Sequence, residues 1–184
     1  SSNQINITAS VDPQVSELPI DIVSTTAGVQ FPQNTTINYE ITYGTNTVGT
    51  IPLTIQASWS QGTIQGSPTP SVDVLNYVVG SASNAYSSTV PVIDTVNRTI
   101  TWTISSIPGG TTNQTVNFSL ITTSSYTGPN VVDFTVSANA TSGSTVTPDD
   151  EVDQSYKFSG IINPGGPGDG RSDGLSDGKS DGKS

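Results

Sequence analysis

The sequence predicts an all-β protein, folded as a Greek-key β-sandwich of about nine or ten strands. The strongest evidence lies between Asn97 and Ala138, where three segments alternate apolar and polar residues. The apolar positions are Ile100, Trp102 and Ile104, then Val116, Phe118 and Leu120, then Val132, Phe134, Val136 and Ala138. Side chains on a strand point alternately to opposite faces, so this period indicates strands with one buried and one solvated face.

Two further observations support this fold class. Turn sequences separate the alternating segments, with Pro108-Gly109-Gly110 before the second and Gly128-Pro129-Asn130 before the third. Serine and threonine make up 54 of the 184 residues. Threonine suits a half-exposed strand, because its branched Cβ favours extended backbone while its hydroxyl meets water. An apolar fraction of 32% is then sufficient, since only every second strand residue needs to be buried.

The same alternation assigns the strands of the amino-terminal third. A first strand over Ile5–Val11 ends at Asp12-Pro13, and a short second strand lies within Pro19–Ser24. Strong alternation predicts two longer strands over Thr36–Tyr43 and Ile51–Trp59. Each of these long strands places four apolar residues on one face, which is the face expected in the core.

Weaker signals assign the rest of the chain. Gln61–Pro70 is rich in Gly and Pro and is interpreted as a connection. A strand is predicted within Val72–Val79, with Leu75, Tyr77 and Val79 on one face, and a brief edge strand around Val90–Val92. A last strand is predicted through Val152, Tyr156 and Phe158. The side chains expected to be buried together are Ile41, Tyr77, Trp102, Phe118, Phe134 and Val136.

The chain divides into a folded body over residues 1–162 and a tail over residues 163–184. The boundary is the Pro- and Gly-rich run Asn163 to Gly168, and an Asp-Gly-x-Ser unit then repeats four times from Asp169 to Ser184. Leu175 is the only large apolar side chain in these repeats, so the tail cannot bury a core. We expect a disordered or extended tail that acts as a spacer.

Charge is sparse and mainly acidic, with 15 Asp or Glu against 5 Lys or Arg and a formal net charge of −10. Nucleic acids and anionic membrane surfaces need a basic patch, so neither is expected as a partner. Membrane insertion is not expected either, because no apolar run approaches the roughly 18–20 residues that cross a bilayer. Low charge and abundant Thr, Asn and Gly are typical of prokaryotic secreted and surface proteins. They predict an extracellular, cell-surface or secreted setting.

Several motifs, taken together and in order, resemble a known family, the "domain of unknown function eleven" repeat of prokaryotic surface proteins. They are the strand Ile37 to Tyr43, the stretch Leu75-Asn76-Tyr77-Val78-Val79-Gly80-Ser81-Ala82-Ser83, the strand Thr99 to Ile107 around Trp102, and Pro108-Gly109-Gly110 followed by Val116-Asn117-Phe118. The family's aspartate-rich element before the second motif is replaced here by Ser67-Pro68-Thr69-Pro70. The resemblance implies an immunoglobulin-like fold with a structural or adhesive role. It supplies no catalytic residues.

Catalysis and metal binding have little support in the sequence. The chain has no His and no Cys, which excludes nucleophilic triads built on them, and we expect no enzyme activity and no cofactor. The acidic run Asp149, Asp150, Glu151 and Asp153 is a weak calcium candidate, since Ca²⁺ takes six to eight oxygen ligands. It lacks the Gly and the spacing of a dedicated calcium loop. The competing interpretation is a solvated acidic loop before the last strand.

Asn-x-Ser/Thr sequons mark six glycosylation candidates, at Asn6, Asn34, Asn97, Asn113, Asn117 and Asn139. Their number only slightly exceeds what a chain this rich in Ser and Thr produces by chance. Modification also requires that the organism has the enzymes for it.

These observations favour a non-enzymatic structural module of an extracellular surface protein or filament. Open sheet edges present unpaired backbone groups, so we expect self-association through strand edges, with Ile5–Val11 added to another copy. The competing hypothesis is that Ile5–Val11 pairs within its own sandwich. An alternative function is an adhesin domain that binds a glycan or host protein through Asn84–Ser88 or Gln61–Pro70.

Overall fold

The structure, a computed structural model, describes residues 18–143 and 145–157. The predicted strand at Ile5–Val11, the sequon at Asn6, Phe158 and the predicted tail lie outside these residues. The described residues form eleven strands and one short 3-10 turn at Tyr86–Ser88. The strands are β1 (Ile20–Ser24), β2 (Gln30–Phe31), β3 (Thr36–Tyr43), β4 (Ile51–Trp59), β5 (Thr63–Ile64), β6 (Leu75–Tyr77), β7 (Val92–Asp94), β8 (Thr99–Ile107), β9 (Gln114–Thr122), β10 (Val132–Ser142) and β11 (Thr145–Tyr156).

Two sheets pack as a sandwich. One has the order β1-β3-β9-β6; the other has the order β2-β11-β10-β4-β8-β7, with β5 also pairing with β10. These orders match A-B-E-D and A′-G-F-C of an immunoglobulin-like sandwich. The additional strands β7 and β8 extend the second sheet beyond β4, and they enter the chain between β6 and β9. The predicted all-β, immunoglobulin-like sandwich is therefore confirmed.

The chain changes sheets at its start. β1 pairs antiparallel with β3 in the first sheet, whereas β2 pairs parallel with β11 in the second. The connection Thr25–Val29 makes the crossing and includes Gly28 at φ +105°, a conformation that favours glycine. As a result, the segment from Leu18 to Phe31 runs alongside β11 in the same direction and ties the two sheets together at one side.

The core is formed by the inner faces that the alternation predicted. Ile41, Trp102, Phe118, Phe134 and Val136 are all buried. Tyr39 stacks on Phe118 with ring centroids 5.3 Å apart, and its hydroxyl donates to the Gln154 side-chain oxygen. Burial raises the pKa of Tyr39 well above its ordinary value. Gln154 occupies an inward position of β11 between Val152 and Tyr156, and this hydrogen bond is why a polar side chain is tolerated there.

Four details differ from the sequence prediction. Val79 is 92% exposed, because the chain leaves the sheet after Tyr77 and turns at Gly80, where φ is +81°. Tyr77 itself is only partly buried against the core. The predicted connection 61–70 contains the two-residue strand β5, and the acidic run 149–153 lies within β11 rather than in a loop. Short pairings such as β2 and β5 are set by neighbouring strands and have no periodic signal of their own.

The described residues contain no helix that is long and apolar enough to cross a membrane.

Candidate functional site

One margin of the sandwich is closed by the stretch that carries the family resemblance. Beyond β6, the outer edge of β9 meets two serines instead of a strand. The hydroxyl of Ser81 accepts the Ser119 N–H at 3.0 Å, and the hydroxyl of Ser83 accepts the Asn117 N–H at 2.9 Å. The Ser83 N–H donates to the Asn117 carbonyl at 2.8 Å. We call this the sealed margin, since the N–H groups of Asn117 and Ser119 are satisfied.

The sealed margin is held in place by two aromatic residues of the same motifs. The indole N–H of the buried Trp102 donates to the Ser83 carbonyl at 2.8 Å. The Tyr77 hydroxyl accepts the Ala82 N–H at 3.0 Å. The motif residues therefore contact one another and stabilise an edge, which gives them a structural role in this fold.

The loop Asn84–Ser88, one of the two predicted ligand-binding loops, presents less surface than its sequence indicated. Tyr86 is half-buried against the core, and its N–H donates to the Tyr43 hydroxyl at 2.9 Å. The Thr89 hydroxyl donates to the Tyr86 carbonyl at 2.8 Å. This aromatic ring therefore packs inward instead of forming an exposed platform for a sugar.

The opposite margin, where β1 faces β11, is open. Ser155 and Lys157 donate their N–H groups to Val29 and Phe31 on the side of β11 away from β10. Because these groups alternate along a strand, the N–H groups of Glu151 and Asp153 point to that same side. The described residues provide no hydrogen-bond partner for the Asp153 N–H. We call this the open margin.

A pair of carboxyls closes one end of the open margin. The Ile22 N–H donates to the Asp150 carboxylate at 2.9 Å, and Asp150 also shares a hydrogen bond with the Asp21 carboxyl. This shared hydrogen bond raises the pKa of Asp21 and lowers the pKa of Asp150. Three residues earlier on β11, the Thr147 hydroxyl donates to the Leu18 carbonyl at 2.6 Å. Asp21 and Asp150 therefore form an acid clasp between the two sheets.

Beyond the acid clasp, β1 and β11 diverge and leave a cavity of about 490 Å³. Its walls are Ile22–Ser24, the crossing connection Thr26–Val29, and Glu151–Gln154. Ile22 and Val152, which also contact the core, lie among the lining residues. We call this cavity the side window, because an apolar side chain placed in it contacts the layer between the sheets.

A second cavity of about 480 Å³ lies on the other side of Val29, on the outer face of β10 and β11. The Thr135 hydroxyl donates to Asp153 at 2.9 Å, and the Ser155 hydroxyl donates to Asp133 at 2.8 Å. Pro70 and Val29 form apolar walls. The hydroxyls of Thr135 and Ser155 each donate a hydrogen bond to a carboxylate, so this acidic cleft mainly presents acceptors to a ligand. Ligands rich in hydroxyl or amino donors fit that chemistry.

Of the four weak calcium candidates, Asp150, Glu151 and Asp153 do not converge on one point. Alternation along β11 sends Glu151 and Asp153 to the exposed face, whereas Asp150 lies partly buried in the acid clasp. Asp149 belongs to the same strand. In the part of the chain that the structure describes, no group of three or more acidic residues is placed to hold a metal ion.

Five sequons fall within the described residues. Asn34, Asn97 and Asn113 are exposed, and Asn34 and Asn113 lie at φ +57° and +56°. Asn117 is exposed on β9, and Asn139 is partly buried on β10. The amide of Asn97 donates to Asp94 at 2.8 Å, and the hydrogen bonds from Asn97 lower the pKa of Asp94. Among the described sequons, Asn34, Asn97 and Asn113 are therefore exposed and lie outside the strands.

Sequence reasoning missed Asp21 and the cleft residue Asp133, and it gave Asp150 and Asp153 only as weak calcium candidates. No local sequence pattern near Asp21 indicates that its carboxyl contacts Asp150, which is distant in sequence. Asp133 is exposed on the polar face of β10. The one available signal was a polar residue following each inward residue of β10 and β11, a pattern that every half-exposed strand shares.

No family model matches the sequence, and no curated protein matches it. The family resemblance therefore stays a prediction.

Solved structures resemble the sandwich at low sequence identity. The major pilin subunit of Bacillus cereus is 14% identical with a TM-score of 0.46, over 77% of this chain and 40% of the pilin. The collagen-binding domain from a Staphylococcus aureus adhesin is 12% identical with a TM-score of 0.41, over 82% of this chain and 99% of that domain. A family 123 glycoside hydrolase from Clostridium perfringens is 12% identical with a TM-score of 0.42, over 78% of this chain and 27% of the enzyme.

This chain thus spans less than half the length of the pilin and of the hydrolase that it matches. The three proteins have different roles. A likeness at this level assigns none of those roles to this chain.

Proposed function

We propose that this chain is a non-enzymatic structural module of a prokaryotic extracellular surface protein or filament, and that copies assemble by β-strand addition. The observation that carries the proposal is the open margin, where the Asp153 N–H has no hydrogen-bond partner among the described residues and lies beside the side window. The donor in this scheme is the segment Ile5–Val11, whose alternate residues are Ile5, Ile7, Ala9 and Val11. Backbone pairing then supplies affinity, and the buried alternate side chains supply specificity.

Apolar burial favours such an assembly, and net charge opposes it. Full burial of one large aliphatic side chain contributes roughly 1.5–3 kcal/mol, so two isoleucines together offset a substantial part of the cost of association. The stretch Gln4–Val11 carries no charged side chain. The net charge of −10 makes separate copies repel, and salt screens that repulsion. Assembly should therefore tolerate high salt and be faster at moderate salt than at low salt.

The test is deletion of residues 1–11, with deletion of Ser1–Gln4 as the matched control. We expect the wild-type chain and the control to form polymers visible by electron microscopy. The 1–11 deletion should remain a folded monomer, as measured by light scattering and thermal unfolding. An unfolded deletion variant would place Ile5–Val11 in its own sandwich and contradict the proposal. A wild-type chain that stays monomeric at high concentration would contradict it as well.

An adhesin domain that binds a carbohydrate or a host protein is the second candidate, and the acidic cleft favours it. The cleft includes Thr63 and Pro70 of the predicted ligand-binding stretch Gln61–Pro70. If this function is correct, monomeric protein should bind a glycan array. Asp133→Asn should weaken that binding about tenfold or more, because charge-assisted hydrogen bonds are about twice as strong as neutral ones. Asp73→Asn, at an exposed carboxylate outside the cleft, is the control.

A further inference from the structure

We infer that the side window is the acceptor site of the assembly, and that its occupant is Ile5–Val11 of a second copy of this chain. The inference rests on the proposed function and adds where the donor strand binds. Four properties of the described residues lead to it: backbone direction, access to the core, position along the molecule and charge.

Backbone direction is the first property. The N–H and carbonyl groups of Asp153 point away from β10, towards the side window, because Ser155 and Lys157 of the same strand bond in that direction. β2 covers this edge of β11 only at Ser155 and Tyr156. An added strand can therefore form backbone hydrogen bonds with Asp153 and extend the pairing that β2 makes with Ser155 and Tyr156.

Access to the core is the second property. Ile22 is buried and Val152 is half-buried where they line the side window, and Val29 on its rim is 67% exposed. An aliphatic side chain of the donor, such as Ile5 or Ile7, would contact these residues on insertion. The insertion would also cover Val29, which gives the donor apolar area to bury on both sides of its backbone.

Position is the third property. Leu18, where the described chain begins, is tied to Thr147, whereas the side window extends to Gln154. Seven residues of strand separate these points on β11, which corresponds to about 23 Å. If two copies are placed end to end, the segment that precedes Leu18 in one copy can reach the side window of the other without a reversal of chain direction. To fill its own window, the segment has to fold back along β1.

Charge is the fourth property. The rim of the side window carries the exposed acidic side chains Glu151 and Asp153. An acidic donor would be repelled there, but Gln4–Val11 has no charged side chain, and Asp12 follows only after the last alternating residue. The donor is therefore compatible with the acceptor in charge as well as in shape.

The other edges are poorer acceptors. At the sealed margin, Ser81 and Ser83 already occupy the edge of β9. β7 is three residues long, and Pro91 before it has no N–H to offer. The valines at that edge are exposed, Val90 at 69% and Val92 at 66%, but the strand presents few backbone groups for a ladder.

The chain has no cysteine, so engineered disulfides test this assignment without background. Donor chains carry one cysteine, as Ile5→Cys, Ile7→Cys or Ala9→Cys, and acceptor chains carry Val152→Cys. Neighbouring strands lie about 4.8 Å apart, so the residue of an added strand that lies opposite Val152 has its Cα atom at about that distance. That separation suits a disulfide. The control acceptor is Val92→Cys on β7.

Donor and acceptor chains are mixed under mild oxidation, and disulfide-linked heterodimers are quantified on non-reducing gels. We expect at least one donor to link to Val152→Cys about tenfold faster than to Val92→Cys, since assembly raises the effective concentration of the correct pair. Heterodimers that favour Val92→Cys while polymers persist would overturn the acceptor assignment and leave the proposed function intact.

A chain with both Ile7→Cys and Val152→Cys resolves the remaining possibility. If it forms only an intrachain disulfide at high dilution, and mixed single variants form no heterodimer, the segment fills its own window and the inference is wrong. If the wild-type chain forms no polymer and no heterodimer appears, the proposed function itself fails. Polymer formation by the single variants shows that each cysteine leaves the fold competent.

Discussion

The two lateral margins of the sandwich differ in how the backbone N–H groups of their edge strands are satisfied. At the sealed margin, serine hydroxyls from a turn after β6 accept the N–H groups of Asn117 and Ser119, so β9 presents no free ladder there. At the open margin, the Asp153 N–H points into the side window, and an acid clasp and a two-residue strand close only the two ends.

The sealed margin shows that side-chain hydroxyls of this sequence can satisfy the N–H groups of an exposed strand edge. An unpaired strand edge is a risk for uncontrolled aggregation, and proteins usually cover or disrupt such edges. Under the proposed function, the sealed margin prevents pairing with other copies and the open margin is the edge that receives one. The comparison leads to four predictions.

Removing the support of the sealed margin should have the largest effect. Trp102→Ala deletes a fully buried side chain and its hydrogen bond to the Ser83 carbonyl. We expect a loss of about 3–5 kcal/mol in the free energy of unfolding, measured in urea. Trp102→Phe keeps most of the buried area and should lose clearly less. A Trp102→Ala protein of nearly wild-type stability would show that the indole is not a main support of this margin.

Unsealing the same margin directly should cost less stability and create a new interaction. In Ser81→Ala/Ser83→Ala, the N–H groups of Ser119 and Asn117 lose their hydroxyl acceptors. We expect a loss of about 1–3 kcal/mol in total and additional self-association by light scattering. Ser105→Ala, at an exposed position of β8, is the control. Unchanged association would mean that edge closure at this margin has no role in preventing contacts between copies.

At the open margin, two substitutions of Asp153 test its backbone N–H and its side chain separately. Asp153→Pro removes the N–H that faces the side window, while the ladder between β10 and β11 keeps its bonds because that N–H points away from β10. Asp153→Ala removes only the side chain and its bond with Thr135. We expect stabilities within about 1 kcal/mol of each other, but polymers only for Asp153→Ala. Polymers from both variants would exclude this N–H from the contact.

The smallest effect should come from the acid clasp. The raised pKa of Asp21 contributes stability that is complete below its unfolded value of 3.8 and is lost as pH rises through the folded pKa. The lowered pKa of Asp150 contributes stability that is present above 3.8 and is lost as pH falls through its folded pKa. The clasp should therefore be strongest in mild acid, near the point where the two carboxyls share one proton.

Asp21→Asn tests the clasp, because the amide keeps a donor for Asp150 and removes the repulsion at neutral pH. Since Asp21 is exposed, we expect a gain of only about 0.5 kcal/mol at pH 7 and a flatter pH profile of the melting temperature. Glu40→Gln is the control, on the polar face of β3. A neutral or destabilising effect of Asp21→Asn would show that the two carboxyls do not repel one another at pH 7.

The long strands could be read from the sequence because alternation is a local property. β3 and β4 begin and end where the pattern predicted, and the buried faces of β8, β9 and β10 are the predicted ones. The signal fails where the chain leaves a sheet: Val79 continues the alternation of Leu75 and Tyr77, but Gly80 turns the backbone away. The positive φ that Gly80 adopts ends the strand there, although the apolar alternation continues to Val79.

The open margin could not be read in the same way. Which N–H groups of β11 have a partner among the described residues depends on where β2 begins and on how β1 diverges, and both follow from tertiary contacts. The acid clasp joins residues 21 and 150, which no local pattern relates. The sequence did indicate a donor, because Ile5–Val11 alternates. The acceptor required the sheet order and the direction of individual backbone groups.

The parallel course of the first and last strands also has a mechanical consequence. Leu18 lies beside Thr147 near the start of β11, and Lys157 leaves beside Phe31 at its end, so the described chain enters and leaves at opposite ends of the body. Tension applied along the chain would load the bonds between β2 and β11 in shear, where they share the force, instead of opening them one at a time. Such a domain transmits pulling force along its length. The hydrogen bonds from Ser155 to Val29 and from Lys157 to Phe31 would be the first to bear the load.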